Sequence, residues 1–375
     1  MLPRTSIQYA VFLNEDGKVT KTYKLQGSFR APSTSLTLLV AKCYLANVTL
    51  LKEKDFGSSD FHADSLAFFK NFDFYHGDLD PTHGVVDYVD EQTALNKGLI
   101  KNRNGQTYIS VDSKTVLQGN SNRSAVRLES HDRFTHGLFI LDVAHMPGGI
   151  CGTWPAWWLF GDVSPNSTLG SPTGEIDIIE GANSATTNQA TLYAYRNGSC
   201  FTYPSNSSQQ PDMYGHLQGS NSNNCSGDAT GAGGCEIADS RADSFGKGFN
   251  AEGGGVYALE WTTAGMRVFF LSRAEVRSRA SGKGGPLSSS PDPATWGKPT
   301  AVFGGSLCRW DSFFNKLIMI FNTTFCGDDG GGDAWKGDDT CSALAPTCEE
   351  FVRKNPRAFE NAYWLINSVK VYKQT

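Results

Sequence analysis

The sequence predicts an all-β domain of two packed antiparallel sheets, and three observations carry that expectation. Glycine (40), phenylalanine (23), tyrosine (13) and tryptophan (8) are plentiful, while charged residues are only 19% of the 375. Such a composition suits many turns and a stacking surface better than a helical bundle. Short β-prone runs recur between clusters of Gly, Asn, Asp, Ser and Pro. No helical pattern separates them, so they pair as antiparallel sheets and not as βαβ units. One sandwich of this kind can occupy roughly 250 residues or more, which favours one domain over two.

In chain order the candidate strands are 108–113, 125–129, 137–144, 175–180, 255–261, 266–272, 316–322 and 364–372. Alternation in the last places Leu365, Val369 and Val371 on one face. One helix is expected, at 348–354, ended by Asn355 and Pro356 because a residue before proline avoids the α region. The stretch 197–254 is polar and carries three cysteines. It is too long for an ordinary connection, and an ordered region tied by disulfides is expected. No internal repeat is present.

Residues 1–50 read as an extension apart from a domain at 51–375. Residues 1–16 lack the apolar core of a signal peptide, and the apolar run at 36–41 lies too far in to serve as an ordinary one. The first fifty residues are therefore expected to be a misassigned start, an expectation that N-terminal sequencing of the native protein at Met1 would contradict.

The 33 basic and 38 acidic side chains leave a net charge of −5, so bulk charge gives no basic groove for nucleic acid. Lys42 interrupts the best apolar stretch, at 36–51, and no membrane span is read. Nine cysteines fit an oxidising compartment, none falls in a C-x-x-C pair, and the odd count leaves at least one thiol over. Asn47, Asn122, Asn166, Asn197, Asn206, Asn224 and Asn322 each begin an N-x-S/T triplet, which agrees with secretion.

The chemistry lies in Gly152-Thr-Trp-Pro-Ala-Trp-Trp158 and, after a loop, Gly174-Glu-Ile-Asp-Ile-Ile-Glu-Gly181. On a strand, Glu175 and Asp177 share one face and Ile176 and Ile178 the other. Strict alternation turns Glu180 inward, and a single bulge near Ile178 and Ile179 returns it to the carboxylate face. A row of like charges is unfavourable as mere structure, since each raises the others' pKa values. It suits a retaining glycosidase, which needs an ionised nucleophile and a protonated acid about 5–5.5 Å apart. Asp177, between the two glutamates, can hydrogen-bond the nucleophile and help hold one proton. The plainer reading of the row is a solvent-facing edge strand, and the surrounding motifs weigh against it.

Those motifs are Asp80-Pro-Thr-His-Gly84, Ser124-Ala-Val-Arg-Leu-Glu-Ser130, Thr135-His-Gly-Leu-Phe-Ile140, Ala144-His-Met-Pro-Gly-Gly149, Gly253-Gly-Gly-Val-Tyr-Ala-Leu-Glu-Trp261, Asp311-Ser-Phe-Phe314 and Thr324-Phe-Cys-Gly327. With the Trp-rich run and the acidic strand, they resemble glycoside hydrolase family 16 in its fungal endo-1,3(4)-β-glucanase (laminarinase-like) branch. The resemblance runs in order from about Leu51 to Tyr372. It implies a β-jelly-roll sandwich with an open cleft across its concave sheet, with Glu175 as nucleophile, Asp177 as assisting carboxylate and Glu180 as general acid/base. It also implies that Arg127 and Trp158 contact sugar on the non-reducing side, with Trp154 in the cleft or supporting the sheet.

Four positions depart from the family's pattern. The stretch 161–174 holds no Trp, Tyr193 stands in place of a His, Asp87 in place of an Asn, and Asp329 in place of a Trp. Each falls on a sugar contact that the resemblance implies, so Asp87 and Tyr193 join the candidate substrate-binding residues, while Asp329 is expected to be solvated. Losing two aromatic platforms, each contributing on the order of 1 kcal/mol, weakens polysaccharide binding about tenfold or more. His136 and His145 are expected to be structural, and Glu260 either braces the cleft or is a satisfied rim carboxylate.

The sequence therefore predicts a secreted, monomeric, retaining endo-β-glucanase acting on β-1,3- or mixed β-1,3/1,4-glucan, with no cofactor and no assigned metal. The alternatives are a β-glucan-binding protein without activity and a cell-wall glucan transglycosylase.

Overall fold

The computed structural model describes residues 66–373, apart from 78–79, 162–172, 196–197, 205–207, 209, 220–222, 228–232 and 281–283, together with the strands Gln8–Leu13, Val19–Leu25 and Lys52–Asp55. Two compact units divide the chain, Met1–Val48 and Thr49–Thr375. In the first, Gln8–Leu13 and Val19–Leu25 pair antiparallel. Cys43 and the apolar stretch at 36–51 lie outside the described residues.

The second unit is a sandwich of two antiparallel sheets. One sheet runs Ala301–Gly304, Gly265–Ser272, Gly255–Thr262, Gly137–His145, Tyr363–Lys373, Gln106–Ser110 and Ile100–Arg103, with Lys52–Asp55 pairing further along Tyr363–Lys373. The other runs His216–Leu217, Cys235–Ala238, Gln189–Ala194, Gly174–Glu180, Thr153–Gly161, Leu317–Phe325, Leu128–Phe134 and Phe72–Phe74. Gly137–His145, Tyr363–Lys373, Leu317–Phe325 and Leu128–Phe134 pair with strands remote in sequence, while several other neighbours are consecutive hairpins, as in a jelly roll.

Alternate residues of each strand face the gap between the sheets and form one apolar core. Trp157 and Phe321 of the second sheet stack at 6.0 Å, and Phe321 meets Trp364 of the first edge-on at 5.9 Å. A smaller cluster, including Val86, Tyr88, Phe325, Trp335, Phe351 and Phe359, packs around Cys151–Cys341 and Cys326–Cys348. Eight cysteines pair in four disulfides, and 197–254 is tied by Cys225–Cys235 and Cys200–Cys308. Among the described residues no helix is long and apolar enough to cross a membrane.

The helix Cys348–Lys354 forms as its sequence indicates, capped by Thr347 and ended at Asn355. Other short helices escaped the strand-dominated reading. Asp90 caps Glu91–Lys97, which ends on left-handed Gly98, and Arg273–Arg279 begins with a Ser272/Glu275 capping box. The expected strand 125–129 is two strands, since Arg123–Ala125 pairs in parallel with Val86–Tyr88 before Leu128–Phe134 enters the sheet. Leu365 does not share the inward face of Val369 and Val371. Asn367 is an extra residue opposite Gly137–His145, so Trp364 and Ile366 join the core and Leu365 turns away.

Asn322 also departs from expectation. It lies within Leu317–Phe325 at 8% exposure, accepts from Trp158 Nε1 at 3.0 Å and donates to Tyr88 Oη at 3.0 Å. Its amide is committed to the fold, so peptide mass mapping of protein secreted by a eukaryotic host should find Asn322 without glycan.

Candidate active site

The strand Gly174–Glu180 buries Ile176, Ile178 and Ile179 completely in the core and presents Glu175, Asp177 and Glu180 on its other face. A bulge makes this possible. Trp158 pairs with Asp177 and Trp157 with Ile179, leaving Ile178 as the extra residue. The ladder to Gln189–Ala194 stops at Asp177, and beyond it Asn188 bonds the Ile178 carbonyl and the Glu180 N–H. Its Nδ2 donates to Ile178 O at 2.9 Å, and its Oδ1 accepts from Glu180 N at 3.0 Å.

Each carboxyl has different company. Tyr195 Oη donates to Glu175, and Trp154 Nε1 donates to Glu180 Oε1 at 2.9 Å. Asp177 is 1% exposed, and neither of its oxygens meets a protein donor. Asp177 and Glu175 are coupled, and since two ionised carboxylates have no donor between them, the neutral form of Asp177 is the one that its surroundings favour. Burial pushes Glu175 up to about 7, against the Tyr195 hydrogen bond, the proton on Asp177 and the positive charge of Arg127. Burial and the negative charge of Asp329 push Glu180 up to about 8. Burial, followed by the charges of Glu175 and Glu180, holds Asp177 well above the usual carboxylate range. The three titrate as one coupled system.

Arg127 lies over the rings of Tyr75 (4.6 Å) and Trp158 (5.2 Å), with its guanidinium paired to Glu129 at 2.8 Å. The aromatic row continues from Trp158 to Phe160 at 5.4 Å, to Tyr195 at 6.1 Å and to Tyr193, which stacks on Tyr195 at 5.8 Å. On the Glu180 side a depression is lined by Trp154, Gln189, Tyr193, Glu236 and Asp329 among others. Trp154, Trp158, Arg127 and Tyr193 are thus gathered along the carboxylate face. Asp87 lies exposed on Val86–Tyr88, with no hydrogen bond or ion pair to the carboxylates among the described residues.

Asp329 is open to solvent yet belongs to the depression beside Glu180, and burial of its surroundings raises its own pKa. The sequence reading also missed Tyr195 and Asn188. Tyr195 was within reach, since it lies two residues past Tyr193 and period-two alternation places both on one face. His136 pairs with Asp311 at 2.7 Å, His145 stacks on Tyr363 at 3.8 Å, and Glu260 pairs with Arg267 on the opposite sheet. None of the three reaches the carboxylates. Among the described residues no group of three or more His, Cys, Asp or Glu is arranged to hold a metal.

An antiparallel jelly roll with three buried, electrostatically coupled carboxyls on one face of a bulged strand, flanked by an aromatic row, defines a carbohydrate-active enzyme of the glycoside hydrolase class. A family model described as "XgeA-like, catalytic GH16 domain" matches residues 72–372, and the chain belongs to glycoside hydrolase family 16.

An endo-1,3(4)-beta-glucanase of Arthroderma benhamiae is 38% identical over 346 residues, which are 91% of this chain and 69% of that protein. A probable endo-1,3(4)-beta-glucanase of Aspergillus fumigatus is 39% identical over 318 residues, 82% of this chain but only 44% of its relative. Laminarinase 16A from Phanerochaete chrysosporium, solved with β-glucans in both donor and acceptor sites, superposes with a TM-score of 0.69 at 35% identity, covering 82% of this chain and 97% of that one. An elongating GH family 16 beta-1,3-glucosyltransferase gives a TM-score of 0.69 at 35% identity, covering 86% and 98%.

Carboxyls raised by folding make the native state bind more protons than the unfolded chain, so their contribution to stability falls as pH rises from about 4 through their folded values. Asp177→Asn should therefore raise the melting temperature at pH 8 relative to wild type, by roughly 2 °C or more per kcal/mol recovered, with little gain at pH 4. Thermal denaturation at the two pH values reads the difference.

Proposed function

We propose that the protein is a secreted, retaining endo-β-glucanase that hydrolyses β-1,3- or mixed β-1,3/1,4-linked glucan. The observation that carries this reading is the pair of buried carboxyls with unequal surroundings on one bulged strand. Glu175 has a phenol donor and a nearby guanidinium, which favour its ionised form. Glu180 has Asp329 nearby, which favours its protonated form. Environments that separate two carboxyls in this way assign nucleophile and acid.

In the first step Glu175 attacks the anomeric carbon, the glycosidic C–O bond breaks, and the Glu180 proton goes to the departing oxygen. Glu180, now ionised, takes a proton from water as that water attacks the same carbon and releases Glu175. Inversion twice gives net retention. Asp177 keeps a proton directed at Glu175, which disperses the nucleophile's charge between turnovers. Trp158 and Arg127 hold sugar on the non-reducing side, and Trp154 and Tyr193 line the leaving-group side. Asp87 has the weakest support as a sugar contact. The disulfides and the activities named for the fungal relatives support an extracellular setting.

A glucan-binding protein without activity has no use for buried, proton-sharing carboxyls that cost stability at neutral pH. Transfer to a sugar acceptor uses the same intermediate, and the likeness to a β-1,3-glucosyltransferase makes it the second reading. Products longer than the substrate would establish it.

Reducing-sugar release from a β-1,3-glucan should fall below ~10⁻³ of wild type in Glu175→Gln, while wild-type release should yield oligosaccharides. The wild-type kcat/KM should follow a bell whose limbs lie near 7 and 8, rising as Glu175 ionises and falling as Glu180 loses its proton. A profile still rising at pH 9 would contradict the assignment of Glu180.

A further inference from the structure

We propose that Asn188 is a positioning residue for the acid/base step, clamping the bulge at Ile178 so that Glu180 faces the cleft. This rests on the glucanase reading above.

Past Asp177 two backbone groups of the bulged strand have no ladder partner. Asp177 pairs with Trp158, and Ile179 with Trp157, so the chain between them is one residue too long for its neighbour. On the other side the ladder to Gln189–Ala194 runs from Gly174 to Asp177 and stops. The Ile178 carbonyl and the Glu180 N–H are therefore left at the point where the strand reverses the side on which its residues project. Each buried polar group without a partner costs roughly 1–3 kcal/mol. One amide side chain satisfies both, donating to Ile178 O and accepting from Glu180 N.

Asn188 is itself fully buried and fixed from behind. Its N–H donates to Ser244 Oγ at 3.0 Å, and its carbonyl accepts from Asp239 N at 2.8 Å. Ser244 Oγ donates to Arg241 O at 2.7 Å, and Ser244 O accepts from Tyr257 Oη of the opposite sheet. Arg241 pairs with Asp239 at 2.7 Å. The clamp is thus part of a rigid polar network that ends in the other layer of the sandwich. Trp154 Nε1 fixes the far end of the Glu180 side chain, while Asn188 fixes its backbone. Together they leave the carboxyl little freedom to leave the line of the leaving oxygen.

A defect in proton delivery has a signature that general loosening of the fold lacks. Sugars are poor leaving groups and need the proton, whereas a dinitrophenolate departs without it. Asn188→Ala should lower the rate on a β-1,3-glucan about tenfold or more while first-step bond cleavage in a dinitrophenyl β-glucoside oligomer, read as the dinitrophenolate burst, falls far less. Added azide should raise turnover of the aryl substrate by the variant, attacking the glycosyl-enzyme at the anomeric carbon, releasing Glu175 and giving a β-glycosyl azide. Val371→Ala, a core truncation remote from the bulge, serves as a stability-matched control and should show neither effect.

Equal losses on both substrates, or no loss, would overturn the role of Asn188 while wild-type activity and the Glu175→Gln loss leave the glucanase reading intact. A wild type that releases no sugar from any β-glucan would overturn that reading, and this inference with it.

Discussion

One extra residue, Ile178, decides what Gly174–Glu180 can do. Without it, the alternation that puts Ile176 in the core would carry Glu180 there as well. With it, three isoleucines enter the sandwich within four positions and three carboxyls emerge on the opposite side. At this irregularity Asn188 satisfies two backbone groups that lie beyond the end of the neighbouring ladder. Reactive geometry thus depends on a buried amide that faces away from any substrate.

The three carboxyls are held where water is scarce, and each would be more at ease neutral. Their neighbours turn a shared penalty into a division of labour. Around Glu175 stand a phenol and a guanidinium, and around Glu180 stand an indole and a second acid. The same residue type on the same strand therefore takes up two protonation habits. Asp177, enclosed between them with no protein donor, is the carboxyl most strongly held to its neutral form.

Most of this was legible in the sequence, and the misses have physical causes. The spacing of Glu175, Asp177 and Glu180 around Ile176, Ile178 and Ile179 demands a bulge on any strand with one apolar face, so it could be read directly. The bulge at Asn367 could not be. Apolar residues at 364, 365, 366, 369 and 371 fit either alternation, and only the register against Gly137–His145 selects one. Asn322 matched a tripeptide acceptor pattern that says nothing of burial. Asn188 lies eight residues beyond Glu180 across a reversal of the chain, where no period links them. Asp329 read as solvated because its exposure is real, and what the sequence conceals is that the solvent around it is the cleft.

The segment from Cys326 to Cys341 forms one wall of that cleft and is anchored at both ends, through Cys348 and Cys151. Within it Gly327 adopts a left-handed conformation against the Trp154 ring, where a Cβ would meet the Thr82 carbonyl at 2.7 Å, so the start of the wall tolerates no side chain. Beyond that point the cross-links act together with a few buried anchors, Trp335 in the smaller core and Asp338 bonded to Ser184, and the exposed Asp329 lies between them. An exposed position fenced in this way can change its side chain, and with it the Glu180 side of the cleft, without disturbing the strand that carries the carboxyls.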